Sequence, residues 1–588
     1  MATNDLDENL GRDPDSMILH RAHFTHEFEA KKKLDSTLLT SFPAIGGLLV
    51  GYDFGCINGL LRFESFIDAI EGRGKVKMSK NNVVLIVSLL FCGCIIGAIT
   101  GGALGDRLGR KWLIQLSCAV YVSGVFLQMS FDLYDTAFIL VLIGRLIGGI
   151  GTGLNSVGTV LYMTETNKFN LKRNSPLRSE RLLLACHSSL RGFSLAAYQG
   201  CVALGLLIAA LNVYAVDKRT DISAYRWLVG CQFIWPAVLA IAVSMIPESP
   251  RHLVNIGRNE EAYRALIRLR APRSRDKSDI RRVQMELSEI YLSHEVGLGP
   301  EKVAFRKVAK EWLSTRSSGI TRSVNLVIHP LTVSVLLHTM YQCTGVSFIT
   351  FSTTSLAGTD EALGDPLVIA LVLSIVQLCG TPVYMWSFKK LGQRWTLIVS
   401  ALAISACHLL TAITGMTASV TDKSLVVGRV QLVLVALFVF LVASSWVPAV
   451  WIIIGEIPST ATRSRDIGIS AGVHWLWTGV ISATTPYLVE VEWLRRSGIF
   501  LIFACLCLCS SLFVYFLVPE TSKLFLEYIE VIIRESDPRT TQEWKPDGTF
   551  GWRRDLRTEV QYCRVPRIRK SWQSHTKENA SDMAEQGK

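Results

Sequence analysis

Twelve mostly apolar stretches run along the chain, each near the roughly 20 residues a helix needs to cross a hydrocarbon layer. They lie at about 37–61, 82–102, 113–131, 136–158, 192–212 and 226–246, then at 325–352, 366–386, 395–416, 425–451, 467–489 and 498–518. Inside a bilayer no water serves the backbone, so only helices and closed barrels can span it. Long continuous apolar runs, as opposed to short alternating ones, select the helix. Composition agrees: charged residues make up 19% of the chain, against about 25% in soluble domains.

The polar loops between these stretches occur twice. Gly105-Asp106-Arg107-Leu108-Gly109-Arg110-Lys111 separates the second and third stretches. A worn copy, Lys389-Lys390-Leu391-Gly392-Gln393-Arg394, separates the eighth and ninth. Glu165 and Arg191 are echoed by Glu456, Arg463 and Arg465, and Pro247-Glu248-Ser249-Pro250-Arg251 by Pro519-Glu520-Thr521. Such repetition indicates a duplicated six-helix unit. It predicts an all-α membrane protein with twelve transmembrane helices in two pseudo-symmetric six-helix bundles, able to rock about a central site. The expected boundaries are a cytoplasmic N-terminal tail over 1–35, a first bundle over 36–246, a cytoplasmic helical linker over 247–324, a second bundle over 325–518 and a cytoplasmic C-terminal tail over 519–588.

The net charge of +12 fits basic cytoplasmic loops better than a nucleic-acid surface. Lys31, Lys32 and Lys33, then Arg107, Arg110 and Lys111, then Lys172, Arg173, Arg178 and Arg181 fall on one side of a twelve-span arrangement. Both termini are therefore expected in the cytoplasm. The 14 Cys lie mostly in apolar stretches, as at Cys505, Cys507 and Cys509, and read as buried thiols. The first 35 residues are polar, so no cleavable signal peptide is expected. In the linker, Asn259 precedes Glu260 and Glu261, as at a helix start. Ile280, Val283, Leu287 and Ile290 recur at helical spacing, which predicts amphipathic helices under the bundle. No phosphate-binding loop, metal-spaced His/Cys cluster or nucleophile–base pair is present, so no enzyme activity, cofactor or metal is expected.

The motifs resemble those of the sugar porter family of the major facilitator superfamily, fungal hexose transporters in particular. Gly51-Tyr52-Asp53-Phe54-Gly55 with Asn58-Gly59 resembles its first-helix signature, and Arg145 through Gly153 with Tyr162 and Glu165 its fourth-helix motif. The two Pro-Glu motifs match those that close each half. The repeat also exposes an irregularity. Arg191 to Pro247 and Arg463 to Pro519 are equally spaced, but Glu165 to Arg191 exceeds Glu456 to Arg463 by 19 positions. An insertion, or translated intron sequence, therefore occupies about 167–185.

The resemblance implies roles for particular residues. Asp53 and Arg145 are the expected proton-switched pair, since a carboxylate in a membrane span must be paired or neutralised. Gln199, Gln342, Trp451 and Trp475 match sugar-contacting positions. Tyr341, Ser347 and His474 stand at such positions but depart from the family's residue types, as Phe351-Ser352 departs at the outer gate and Val160 in the fourth helix. Losing amides removes groups that a hexose would satisfy, which unsettles hexose specificity. Asp106, Arg107, Arg110, Glu165 and Arg191 form the expected first cytoplasmic ion-pair network. Arg394, Glu456, Arg463 and Arg465 form the second, which Lys389 weakens by standing where the family has Asp. A bias toward the inward-open state is expected to follow.

The reading is a multi-pass transporter, expected in the plasma membrane, that moves a monosaccharide such as glucose, or a related polyol, by alternating access, with or without a coupled proton. The alternatives are a non-transporting sugar receptor and a carrier of another small metabolite. The expected partners are the sugar, a proton and the lipid bilayer; nucleic acid is not, and a monomer is expected.

Overall fold

The computed structural model describes residues 40–61, 63–71, 78–130, 137–166, 180–217, 223–270, 330–357, 365–418, 425–459, 462–489 and 498–521, with a few positions between them. Every element named from these residues is helical. The first half contains α1 (Gly46–Leu60), α2 (Glu64–Glu71), α3 (Lys80–Leu108), α4 (Arg110–Met129), α5 (Ala137–Thr166), α6 (Glu180–Val216), α7 (Ser223–Cys231) and α8 (Ile234–Ser244). Two linker helices follow, α9 (Pro250–Asn255) and α10 (Asn259–Arg270). The second half contains α11 (Pro330–Cys343), α12 (Val346–Ala357), α13 (Pro366–Leu391), α14 (Gln393–Ala418), α15 (Leu425–Ala443), α16 (Trp446–Glu456), α17 (Arg463–Leu488) and α18 (Ile499–Leu517).

Nine crossings among the described residues are long and apolar enough for a membrane: α3, α4, α5, α6 from Gly192, the α7–α8 pair, α13, α14, the α15–α16 pair and α18. The other three expected crossings differ for physical reasons. The first contributes only the shorter apolar piece Phe42–Ile57. The seventh is split into α11 and α12. The eleventh, α17, has ample length but carries Arg463, Arg465, Asp466, His474 and several Ser and Thr. In the insertion region, 167–179 lies outside the described residues, and α6 starts at Glu180, ahead of the expected membrane segment.

The breaks lie where protein can satisfy the freed backbone, as a membrane interior requires. Between α11 and α12, Gly345 takes φ +84. The carbonyl of Thr344 is met by Nε2 of His408 at 2.9 Å. A side chain at Gly345 would press on the Phe503 ring, 3.0 Å from an added Cβ. Between α15 and α16 the turn falls at Ser445, whose backbone is non-helical.

Helices α3 and α5 meet with no side chain between their backbones. A Cβ on Gly93, Gly97, Gly149 or Gly153 would lie 2.1–2.2 Å from a carbonyl oxygen of the facing helix. The glycine run Gly148–Gly153 is therefore a packing surface. The two halves also touch each other. At one end of the bundle, Ser464 Oγ donates to the Gly102 carbonyl at 2.7 Å, and a Cβ on Gly455 would meet Thr164 at 2.4 Å. At the other end, Phe91 meets Phe351 edge-on at 5.8 Å and Tyr487 donates to Asn81 at 3.1 Å.

The linker helices are amphipathic. Glu260 and Glu261 open α10, Arg268 and Arg270 close it, and Leu253, Val254, Ala262, Ala265, Leu287 and Ile290 pack together. Arg270 pairs with Glu286 and donates to the Thr166 carbonyl at 2.9 Å, which ties the linker to the end of α5. Ile280 lies outside the described residues.

Candidate functional site

Three clusters of polar side chains interrupt the apolar bundle. The first is a charge pair. Arg145 of α5 donates through NH1 to Asp53 Oδ1 of α1 at 2.8 Å, both side chains being almost fully buried. Gln232, at the α7–α8 break, approaches the same oxygen at 3.5 Å. The pair is single-pronged: Asp53 Oδ2 and Arg145 Nε and NH2 have no hydrogen-bond partner. A buried pair with unmet groups is held less firmly than a two-pronged one. Taking away one member would strand a buried charge, at about 3–5 kcal/mol.

The second cluster lies in the second half and carries most of the expected ligand contacts. His474 of α17 stands 5.2 Å from Trp451 of α16, 4.8 Å from Trp475 and 5.5 Å from Tyr341, on which it stacks. His338 of α11, which the sequence reading passed over, lies 5.0 Å from His474 and 5.1 Å from Trp451. Trp475 reaches across the halves: its Nε1 donates to Ser156 of α5 at 3.3 Å, and its ring meets Phe54 and Phe91. The structure thus brings Trp451, Trp475, Tyr341 and His474 together as expected. Gln199 sits on α6 beside Gly200, whose added Cβ would meet Thr381 of α13 at 3.2 Å, so it lies at the junction of the halves.

Gln342 is positioned as expected but is already committed. Its amide nitrogen donates to Thr478 Oγ1 at 2.7 Å and faces His474 Nδ1 at 3.2 Å. Its carbonyl accepts from Ser347 Oγ at 2.5 Å. The amide thus orients His474 and Ser347, and a ligand would have to displace these bonds to use it. No pattern in the sequence announces this, because Thr478 and His474 lie more than a hundred residues away.

The third cluster is at the helix ends joined by the α3–α4 turn. Arg110 donates to Glu165 at 2.9 Å and to the Gly105 carbonyl at 2.8 Å. It also lies 3.5 Å from Asp106 and 2.7 Å from His252 Nδ1. Ser249 donates to the second oxygen of Glu165 at 2.5 Å. Glu248 accepts from the backbone N–H groups of Arg110 and Lys111, which otherwise lack partners at a helix start. Burial raises the carboxyl of Glu248 above its ordinary pKa. Burial, reinforced by the Arg110 charge, lowers His252 to about 4. Charges of the second half reach this group too: Arg463 acts on Glu165 and Arg465 on Asp106. Arg107 is exposed and joins no described ion pair, and the side chains of Arg191, Lys389 and Ser352 lie outside the described residues.

In the second network Gln393 faces Glu456 at 3.4 Å, and Thr521 donates to the Gln393 carbonyl oxygen at 2.6 Å. Arg394 turns away to the Tyr515 carbonyl at the end of α18 and to the Tyr515 ring. The reason is register: counting from Gly109 and Gly392, Gln393 stands opposite Arg110 and Arg394 opposite Lys111. The glycines carry the signal, and the basic residues alone misplace it. The inward-open bias rests on Lys389 and so is not addressed by these contacts, while the halves touch at the Gly102–Ser464 end in this structure.

Known proteins share this plan. The Major facilitator-type transporter ecdD of Aspergillus rugulosus is 29% identical over 89% of this chain and 92% of its own length. The probable glucose transporter rco-3 of Neurospora crassa is 29% identical over 88% and 82%. The high glucose sensor RGT2 of Saccharomyces cerevisiae is 26% identical over 85% of this chain but 61% of its own length. Among solved structures, the proton:xylose symporter XylE bound to 6-bromo-6-deoxy-D-glucose superposes with a TM-score of 0.66 at 21% identity, covering 84% of this chain and 98% of that one, which shows a common fold. The model of the sugar (and other) transporter family matches residues 39–533, and this multi-pass membrane protein belongs to that family.

Proposed function

We propose that the chain moves a monosaccharide or related polyol across the plasma membrane by alternating access, coupled to a proton through Asp53 and Arg145. The observation that carries the coupling is the buried, single-pronged Asp53–Arg145 contact at 2.8 Å. Protonating Asp53 would cancel its charge, release Arg145 and change which arrangement of helices is favoured. The aromatic cluster around Trp451 and Trp475 is the proposed sugar platform, with Gln199 a proposed further contact. The cytoplasmic knots are the proposed inner gate, and residues 36–246 and 325–518 the two rocking halves, joined by the linker 247–324. The cycle involves no bond-making step, and one chain supplies the whole site. The relatives' roles, glucose transporter and glucose sensor, support a sugar ligand.

The test is uptake of labelled glucose in a yeast strain lacking its own hexose transporters, with and without a protonophore, for the native chain and Asp53→Asn. Saturable uptake that the protonophore abolishes, and that Asp53→Asn no longer couples to the proton, is the expected result. Uptake indifferent to the protonophore would replace symport by facilitated diffusion. Absent uptake, with protein at the cell surface, would favour a receptor.

A further inference from the structure

The knot at the α3–α4 turn contains a bond that only a neutral histidine can make. Arg110 NH1 lies 2.7 Å from His252 Nδ1, and both residues are almost fully buried. A guanidinium offers donors and no acceptor, so Nδ1 must be bare and the ring proton sits on Nε2. A second proton could enter only at Nδ1. It would remove the acceptor and set two cations against each other away from water, where their repulsion is little screened.

The carboxylates around the ring are already engaged. The charges that act on His252 are Arg110 of α4, Glu165 of α5 and Arg258 in the turn before α10. Glu165 gives one oxygen to Arg110 and the other to Ser249. Glu248 is held by the backbone N–H groups that open α4. Asp106 of α3 faces Arg110, Glu261 of α10 faces Arg258, and Glu286 faces Arg270. The bond also bears on the other half of the molecule. Arg110 NH1 donates to the Gly105 carbonyl at 2.8 Å, and a Cβ added to Gly105 would lie 2.8 Å from Ser464 Oγ of α17. Arg110 thus steadies the stretch of α3 on which the second half rests.

We infer that His252 is a proton-operated latch on the proposed inner gate: neutral, it lets the knot close; protonated from the side that bathes the knot, it releases Arg110 and lets the halves part. The inference rests on the reading of the knots as a gate and adds what regulates it. Burial, then the charges of Arg110 and Arg258, hold His252 of the closed knot at about 4, against 6.5 for an unperturbed ring. Linkage then makes release about ten-fold more favourable at pH 5.5 than at pH 7.5.

Leu108 at the end of α3 and Leu391 at the end of α13 are exposed and precede the paired turns, one in each half. Spin labels attached there through genetically encoded p-acetylphenylalanine, which spares the native cysteines, report the separation of the halves. It is measured by pulsed electron paramagnetic resonance on the full chain in lipid nanodiscs, with no ligand. Two separations are expected, their ratio moving about ten-fold toward the longer one between pH 7.5 and pH 5.5. Asp53→Asn should keep most of this shift. His252→Gln, whose amide oxygen can accept from Arg110 but takes no proton, should cut it to less than about two-fold. The same shift in His252→Gln as in the native chain would overturn the latch and leave the gate standing. If that variant fails to fold, Asp53→Asn still decides, because a shift lost there belongs to the Asp53–Arg145 pair and overturns the latch. One unchanging separation in the native chain would overturn both latch and gate.

Discussion

The two knots at the α3–α4 and α13–α14 turns are copies that keep one function of the backbone and divide over charge. In the first, Glu248 accepts the N–H groups that open α4; in the second, Glu520 does the same for α14 at 3.1 Å. Lys111 covers the carbonyls of Ser244 and Ile246, as Arg394 covers that of Tyr515. Gly109 and Gly392 take φ +92 and +80, and a Cβ on either would strike the capping carboxylate. The difference is the next residue. Arg110 makes a charged bond to Glu165 at 2.9 Å, where Gln393 makes a neutral contact to Glu456 at 3.4 Å. Capping is conserved by geometry that admits little variation, while the strength of the ion pair is free to drift.

The sharpest way to break this comparison is Arg110→Ala. It strands Glu165 in the interior and should cost about 3–5 kcal/mol, read as a lowered unfolding midpoint of the purified protein. Gln393→Ala should cost about 1 kcal/mol. Equal losses would mean that the knots carry equal weight.

Acidity should separate them next. In the unfolded chain His252 takes a proton as pH falls through 6.5, whereas in the folded knot burial, then the charges of Arg110 and Arg258, lower it to about 4. The stability held at neutral pH is therefore lost progressively from pH 6.5 down to about 4. Glu248, raised by burial, protonates more readily in the folded state and opposes the loss. His252→Gln should flatten the acid limb of a stability–pH profile; an unchanged limb would assign it elsewhere.

A smaller effect tests the charge itself. Gln393→Arg should strengthen the second knot by about 1 kcal/mol, the charged bond being partly offset by desolvation. It should also slow cytoplasmic labelling of a cysteine placed in the central cluster. Lys389→Asp should act in the same direction by less than about 1 kcal/mol. Faster labelling in either variant would count against the asymmetry.

The helical plan, the duplicated halves and the Asp53–Arg145 pair were legible in the sequence, because membrane helices announce themselves by length and a buried carboxylate needs a cation. Trp451, Trp475, Tyr341 and His474 were found by motif. Three features were not legible. Gln342 looks free in sequence and is bound in space, by residues of α17. Arg394 looks like the counterpart of Arg110 until the paired glycines set the register. His338 has no motif at all: its signal is a polar residue one helical turn before Gln342, on the same face of α11.

The glycine contact between α3 and α5 makes those helices a single beam. Backbone pressed on backbone leaves no side chains to yield, so bending is dear and tilting is cheap. Arg145 and Glu165 lie on one such helix, about 30 Å apart by helical rise. In the proposed cycle, a change of charge beside Arg145 would reach the Glu165 end as the swing of a stiff arm, with no relay of intermediate residues required. Softening that arm by a bulge in α5 would leave both ends intact and uncouple them, as a cut in a balance beam stops weighing without touching either pan.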